Sequence, residues 1–198
     1  MGEQRVSALN DEKKMQKFVK ALLADVQAME YMLEHKWFES GTIRIGAEQE
    51  MVMVNKQSQK PACVAMEALE KMKDYDWVET ELAKFNLETN LTPREFIGSC
   101  FSDLEKENSE KLDKIQEVLD TMDTDLVLTG ILPTLKKRDL IMDNLTPKKR
   151  YYALMEAINQ QLIGNSYELK LSGIDELALK HDSPLLEAVN TSFQIHYR

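Results

Sequence analysis

The segment Arg44-Ile45-Gly46-Ala47-Glu48-Gln49-Glu50 sets two carboxylates at i and i+2 inside a β-branched and apolar run. In a strand that spacing puts both side chains on one face, roughly 7 Å apart, where hard oxygen donors can hold a divalent cation. Taken alone, the pattern also fits a solvated strand face paired with Arg44 or a nearby lysine. Two later segments add weight to the metal reading. Glu88 lies on the polar face of one alternating run and His196 on the polar face of another, with Glu81 shortly before Glu88. Glu81 and Glu88 have an odd spacing, which would set them on opposite faces of one continuous strand. Glu81 must therefore precede the strand proper, or a bulge must turn it. Gathered on one sheet surface, these groups make an acidic floor. Such a floor needs cations, since two carboxylates ~4 Å apart repel by about 4 kcal/mol even at an effective dielectric near 20.

The elements that must position these groups follow from periodicity. Met15, Phe18, Val19, Leu22, Val26, Met29 and Leu33 recur at helical spacing and predict an amphipathic helix from Asp11 to about Lys36, covering a core. Gly41 breaks that pattern. Thr42 to Asn55 then reads as a long strand with Ile43, Ile45, Ala47, Met51 and Met53 on one face, and Arg44, Glu48 and Glu50 on the other. Gln49 interrupts the alternation, and one-sided burial is expected. A second helix is expected over Pro61 to Asp74, then a strand over Thr80 to Thr92 whose wet face carries Asn86, Glu88 and Asn90. Thr92-Pro93 closes it, because proline cannot continue the ladder.

Ser99 or Ser102 suits the cap of a third helix ending near Asp123. Leu126 to Leu132 is apolar throughout, which predicts an internal strand covered on both faces and ended by Pro133. Pro147 suits the first turn of a helix running to about Ile163. Asn165 to Ser172 alternates, and at the end Phe193, Ile195 and Tyr197 alternate with Ser192, Gln194, His196 and Arg198. Helices and strands mix without the regular βαβ rhythm. The expected class is α+β, a largely antiparallel sheet with helices on one face.

Composition narrows the function classes. A chain of 198 residues that is 43% hydrophobic suits one sizeable core. A net charge of -9 without a basic stripe argues against nucleic acid or anionic lipid as a main partner. The short clusters Lys136 to Arg138 and Lys148 to Arg150 read as solvated loop charge. Cys63 and Cys100 are too few for a disulfide framework and lack a paired metal spacing, so reduced thiols are expected. Met1 to Lys14 has no apolar signal core, and no run approaches the ~18 apolar residues of a membrane span. A soluble, cytoplasmic protein is expected. Arg198 falls in mid-strand, and complete proteins avoid an open sheet edge. Residues 1–198 are therefore expected to be the N-terminal portion of a single catalytic domain that continues beyond them.

Three segments resemble the glutamate-cysteine ligase family, second bacterial class, among the glutamine synthetase-like carboxylate-amine ligases. They are Gly46-Ala47-Glu48-Gln49-Glu50 (G-x-E-x-E), Leu87-Glu88-Thr89-Asn90-Leu91-Thr92-Pro93 (E-x-x-T-P after an apolar strand) and the strand reaching His196. Gly130-Ile131-Leu132-Pro133-Thr134 resembles the family's segment after an internal strand. The similarity runs from about Ile43 to the end. It implies part of an open antiparallel barrel, with ATP and Mg2+ (or Mn2+) as cofactors and glutamate and cysteine as substrates, in glutathione biosynthesis. By the same resemblance Glu48, Glu50, Glu81 and Glu88 are metal ligands, and His196 sits at the metal and the nucleotide phosphates. Some relatives carry Asp where Glu81 stands. The implied reaction activates the γ-carboxylate of glutamate as an acyl phosphate, and no covalent enzyme nucleophile is required. Two rivals stay open: another ATP-dependent carboxylate-amine ligase, and a non-catalytic regulatory module of the same fold.

Overall fold

The computed structural model describes residues 12–162, 167–181 and 184–197; expectations resting on residues 1–11, Ile163, Asn165 and Arg198 lie outside them. The apolar and β-branched residues after Gly41 form β1 (Arg44–Asn55), the spine of the sheet. β1 is paired along both edges, always antiparallel. One edge takes β3 (Asn86–Asn90) opposite residues 48–52, then β4 (Arg94–Glu95) opposite Arg44 and Ile45. The other takes β8 (Phe193–Tyr197) opposite residues 45–49, then β5 (Thr124–Val127) opposite residues 52–55. β2 (Val78–Thr80) extends the sheet beyond β3. The sheet stays open, and with α1 (Glu12–Glu34), α2 (Ala65–Lys71), α3 (Cys100–Asp120) and α4 (Lys149–Leu162) the class is α+β. β6 (Tyr167–Ser172) and β7 (Glu176–His181) form a separate two-stranded hairpin.

Side-chain alternation along β1 splits the core in two. Met51 and Met53 point to α2 and α3, where they meet Ala65, Ala68, Leu87, Ile115 and Leu119. Val52 and Val54 point the other way, to Phe85, Leu145, Tyr151 and Met155. Each such buried side chain contributes about 1.5–3 kcal/mol relative to exposure. The expected one-sided burial of β1 therefore holds only for its first half; beyond Glu50 the strand is covered on both faces. The helical layer is one-sided for α2 and α3, whereas α4 joins the opposite face at the far end. Tyr151 of α4 donates to the Thr80 carbonyl at 3.3 Å.

Three further expectations are corrected. The span Thr80 to Thr92 is broken into β2 and β3, because residues 81–85 leave the ladder to bond the segment before α4: the Lys84 N–H donates to the Asn144 carbonyl, and Thr146 Oγ1 to the Glu81 carbonyl. The run Leu126 to Leu132 is no internal strand; β5 stops at Val127, and Leu128 and Ile131 are exposed. A run of apolar residues without tertiary cover shows no periodicity that could reveal this. The first helix forms as predicted but covers no core, since none of its residues is buried. Phe193, Ile195 and Tyr197 share the face of Ile45 and Ala47 and are exposed. No helix among the described residues is long and apolar enough to cross a membrane.

Candidate metal centre

Antiparallel partners present their side chains to the same face, so register determines what shares the floor. Glu50 lies opposite Glu88, and Glu88 opposite Glu79, which makes a row of carboxylates across β1, β3 and β2. Glu48 lies opposite Asn90 on one side and Gln194 on the other, and Gly46 opposite His196. Glu81 sits just past the end of β2, before β3 begins, which resolves the odd spacing from Glu88 by chain departure from the ladder.

Glu50, Glu81 and Glu88 each offer a carboxylate oxygen, and these atoms all lie within 4.8 Å of one another. Glu50 is held at both oxygens. Ser192 donates through its N–H (2.8 Å) and Oγ (3.0 Å) to Oε2, and Gln194 Nε2 donates to Oε1 at 3.0 Å. Asn90 Nδ2 donates to Glu88 Oε1 at 2.9 Å, and the Leu82 N–H to Glu81 Oε2 at 3.1 Å. All these donors are neutral, so they orient the carboxylates without cancelling their charge. Arg44, the cation nearest in sequence, is engaged elsewhere by Glu39 through two bonds of 3.2 Å. Arg44 therefore does not pair with Glu48 or Glu50.

The uncompensated charge shows at Glu81. Burial first, then a hydrogen bond shared with Glu88, and the charges of Glu88 and Glu50, push its carboxyl up to about 8; the Leu82 N–H works in the opposite direction. Three hard oxygen donors at this spacing, short of positive charge, fit Mg2+ or Mn2+ and would not suit a soft ion.

Glu48 stands apart from this group. Its Oε1 lies 3.3 Å from His196 Nε2, on a side chain that is 53% exposed and free to reach over the floor. The structure thus brings together Glu50, Glu81 and Glu88, and separately Glu48 and His196. Sequence reasoning passed over Ser192, Gln194 and Asn90 as holders of these groups, although the period-2 face containing Glu88 and His196 includes them. Glu79 carries a weaker signal, its register with Glu88. Tyr151 and Thr146 reach the Glu81 segment from distant sequence, and no local pattern points to them.

Residues 44–198 match the sequence model of glutamate-cysteine ligase family 2 (GCS2), a span that begins with β1 and leaves α1 outside. No curated protein and no solved structure matches the chain.

Proposed function

The chain belongs to glutamate-cysteine ligase family 2, and on that premise we propose that it serves the ATP- and Mg2+-dependent (or Mn2+-dependent) joining of the γ-carboxylate of glutamate to the amine of cysteine. The observation that carries this reading is the convergence of Glu50, Glu81 and Glu88 within 4.8 Å without a cationic side chain among their hydrogen-bond donors. A divalent cation held there would neutralise the charge that builds where an anionic carboxylate oxygen approaches the anionic γ-phosphoryl group.

The chain's own groups prepare that encounter. Ser192 and Gln194 fix Glu50 in advance, and Asn90 fixes Glu88, so little ordering is left for the moment of binding. Glu81 keeps a proton near neutral pH and must release it to serve as a ligand. Glu48 steadies the His196 ring from beside the carboxylate group, and we assign Glu48 to the metal and His196 to the metal and the nucleotide phosphates. The nucleophile of the first step is the substrate γ-carboxylate, which forms an acyl phosphate and releases ADP; the cysteine amine then displaces phosphate. A cytoplasmic setting is supported by Cys63 and Cys100, both free thiols.

The test is ADP release in Mg2+ by the protein including any sequence that continues the domain beyond residue 198, expected to require glutamate and to be stimulated most by cysteine, with residues 1–198 alone expected to be inactive. Activity with another acid and none with glutamate moves the assignment to a different carboxylate-amine ligase. Metal binding by that complete protein without ADP release for any pair makes it a non-catalytic module.

A further inference from the structure

Two of the three converging carboxylates are held by side chains of the sheet: Ser192 and Gln194 fix Glu50, and Asn90 of β3 fixes Glu88. Glu81 is held differently. It lies between β2 and β3, and the N–H that its carboxylate accepts from belongs to the next residue, Leu82, which moves with it. Where this carboxylate stands therefore depends on what holds the main chain of residues 81–85.

The carbonyls of that stretch divide into two sets. Those of Ala83, Lys84 and Phe85 accept from the N–H groups of Asn86, Ala65 and Met53, which ties them to the sheet and to α2. Those of Glu81 and Leu82 both accept from Thr146, Oγ1 donating to the Glu81 carbonyl at 2.6 Å and the N–H to the Leu82 carbonyl at 2.9 Å. The Thr80 carbonyl just before them accepts from the Tyr151 hydroxyl. Three successive carbonyls are thus fastened by α4 and the segment leading into it. Leu145 extends the same strap, bridging Ala83 in antiparallel fashion, and the Lys84 N–H donates to the Asn144 carbonyl.

The residue type at 146 follows from this arrangement. Its own N–H serves one carbonyl, and the next residue, Pro147, has no N–H to serve the other, so the second donor has to come from a side chain. Thr146 is 0% exposed, and water does not compete for its hydroxyl. The consequence lies in the metal. Mg2+ demands near-octahedral oxygen donors at about 2.0–2.1 Å, whereas Ca2+ accepts looser and more variable shells at about 2.3–2.6 Å. A ligand allowed to drift costs the smaller ion more.

We propose that Thr146 is a positioning residue, which sets Glu81 against Glu50 and Glu88 and thereby makes the site select Mg2+ over Ca2+. The inference rests on the metal reading of the three carboxylates, and its test separates the two. Calorimetric titration with Mg2+ alone and with Ca2+ alone, on the protein including any sequence that continues the domain beyond residue 198, reads both affinities. Thr146→Val should weaken Mg2+ binding by about tenfold and Ca2+ binding by less than about twofold, and Thr146→Ser should restore the parental ratio. Amide exchange over residues 81–84 of the metal-free protein should quicken in Thr146→Val. Ile115→Val, in the core between the sheet and α3, lowers stability without touching the strap and should leave both affinities as they are.

Tyr151→Phe should shift the ratio in the same direction by a smaller factor, and it decides the matter if Thr146→Val does not fold. Equal weakening of both ions overturns the selectivity, as does a shifted ratio in Ile115→Val. Parental affinities in both strap variants, with Mg2+ binding lost in Glu88→Gln, overturn the role of Thr146 and leave the metal site standing. Mg2+ binding retained by Glu88→Gln removes the metal reading and this inference with it.

Discussion

Glu81 and Glu107 are both partly buried carboxyls, and their surroundings drive them in opposite directions. At Glu107 burial alone would push the carboxyl up, but Lys111, the Thr92 N–H, Arg94 and the Thr92 hydroxyl all bond it and bring it down to about 2. The ion pairs are short, 2.7 Å to Lys111 and 2.6 Å to Arg94. At Glu81 burial acts in the same direction and nothing cationic answers it, so the carboxyl rises to about 8. One region is a finished structural joint, fastening α3 to the Thr92-Pro93 corner that ends β3; Lys111 also donates to the Asn90 carbonyl at 2.6 Å. The other is an unfinished one. This contrast, a buried carboxylate neutralised by the fold's own lysine and arginine against three others converging without a cation, is what the proposed metal site rests on.

The largest effect expected from this contrast is on turnover. Glu88→Gln should lower ADP release by about 100-fold or more, because it removes a ligand rather than a group that orients one. It should also abolish the rise in melting temperature on adding Mg2+, a rise worth about 2.7 kcal/mol at a hundredfold excess over Kd. Normal activity in this variant would break the metal assignment.

Glu107→Ala should do the reverse. It leaves the nearly buried Lys111 without its carboxylate and should destabilise the protein by about 2 kcal/mol, below the 3–5 kcal/mol of a fully buried pair because Arg94 is a third exposed. Urea denaturation measures the loss, and the Mg2+-induced rise should survive in the variant. If it disappears, the two regions are coupled through β3 and are not independent.

Ser192→Ala, by removing one hydroxyl from Glu50 while sparing the backbone donor, should weaken Mg2+ binding by about tenfold with little change in the metal-free melt. Calorimetric titration decides it. Equal affinity would mean that Glu50 is held well enough by Gln194 and the backbone.

The smallest effect is in acid. Glu107 titrates at about 2 in the fold against about 4.3 in the unfolded chain, so its contribution is complete above the unfolded value. It is lost as the pH falls from there through about 2. Urea midpoints measured from pH 5 to pH 2 should therefore fall less steeply in Glu107→Gln than in the parent protein. Parallel curves would show that other carboxylates carry the acid sensitivity.

Much of the floor was legible in the chain because it rests on local rules. Glu48 and Glu50 share a face by strand periodicity alone, and Glu88 with Asn90 likewise. The odd spacing of Glu81 left two placements open, before the strand proper or on a bulge; it precedes β3, in a break at residues 81–85 that depends on bonds to Asn144 and Thr146 that no neighbouring residue announces. Glu107 lies in an acidic helical stretch with no local signal of its role. Its partners Thr92 and Arg94 are close in sequence, but only the turn after β3 brings them to α3.

The sequence by itself determined the periodicities, the choice of hard oxygen donors and the amphipathic pattern of α1, since each depends on residue type and spacing along one element. Tertiary structure decided which carboxylates meet. Register set Glu50 against Glu88, the departure of the chain after β2 delivered Glu81, and β8 supplied neutral donors to Glu50 and paired His196 with Glu48. It also decided which carboxyl is lowered and which is raised. A carboxylate's energy depends on burial and on charges a few ångströms away, and those distances exist only once distant segments have packed.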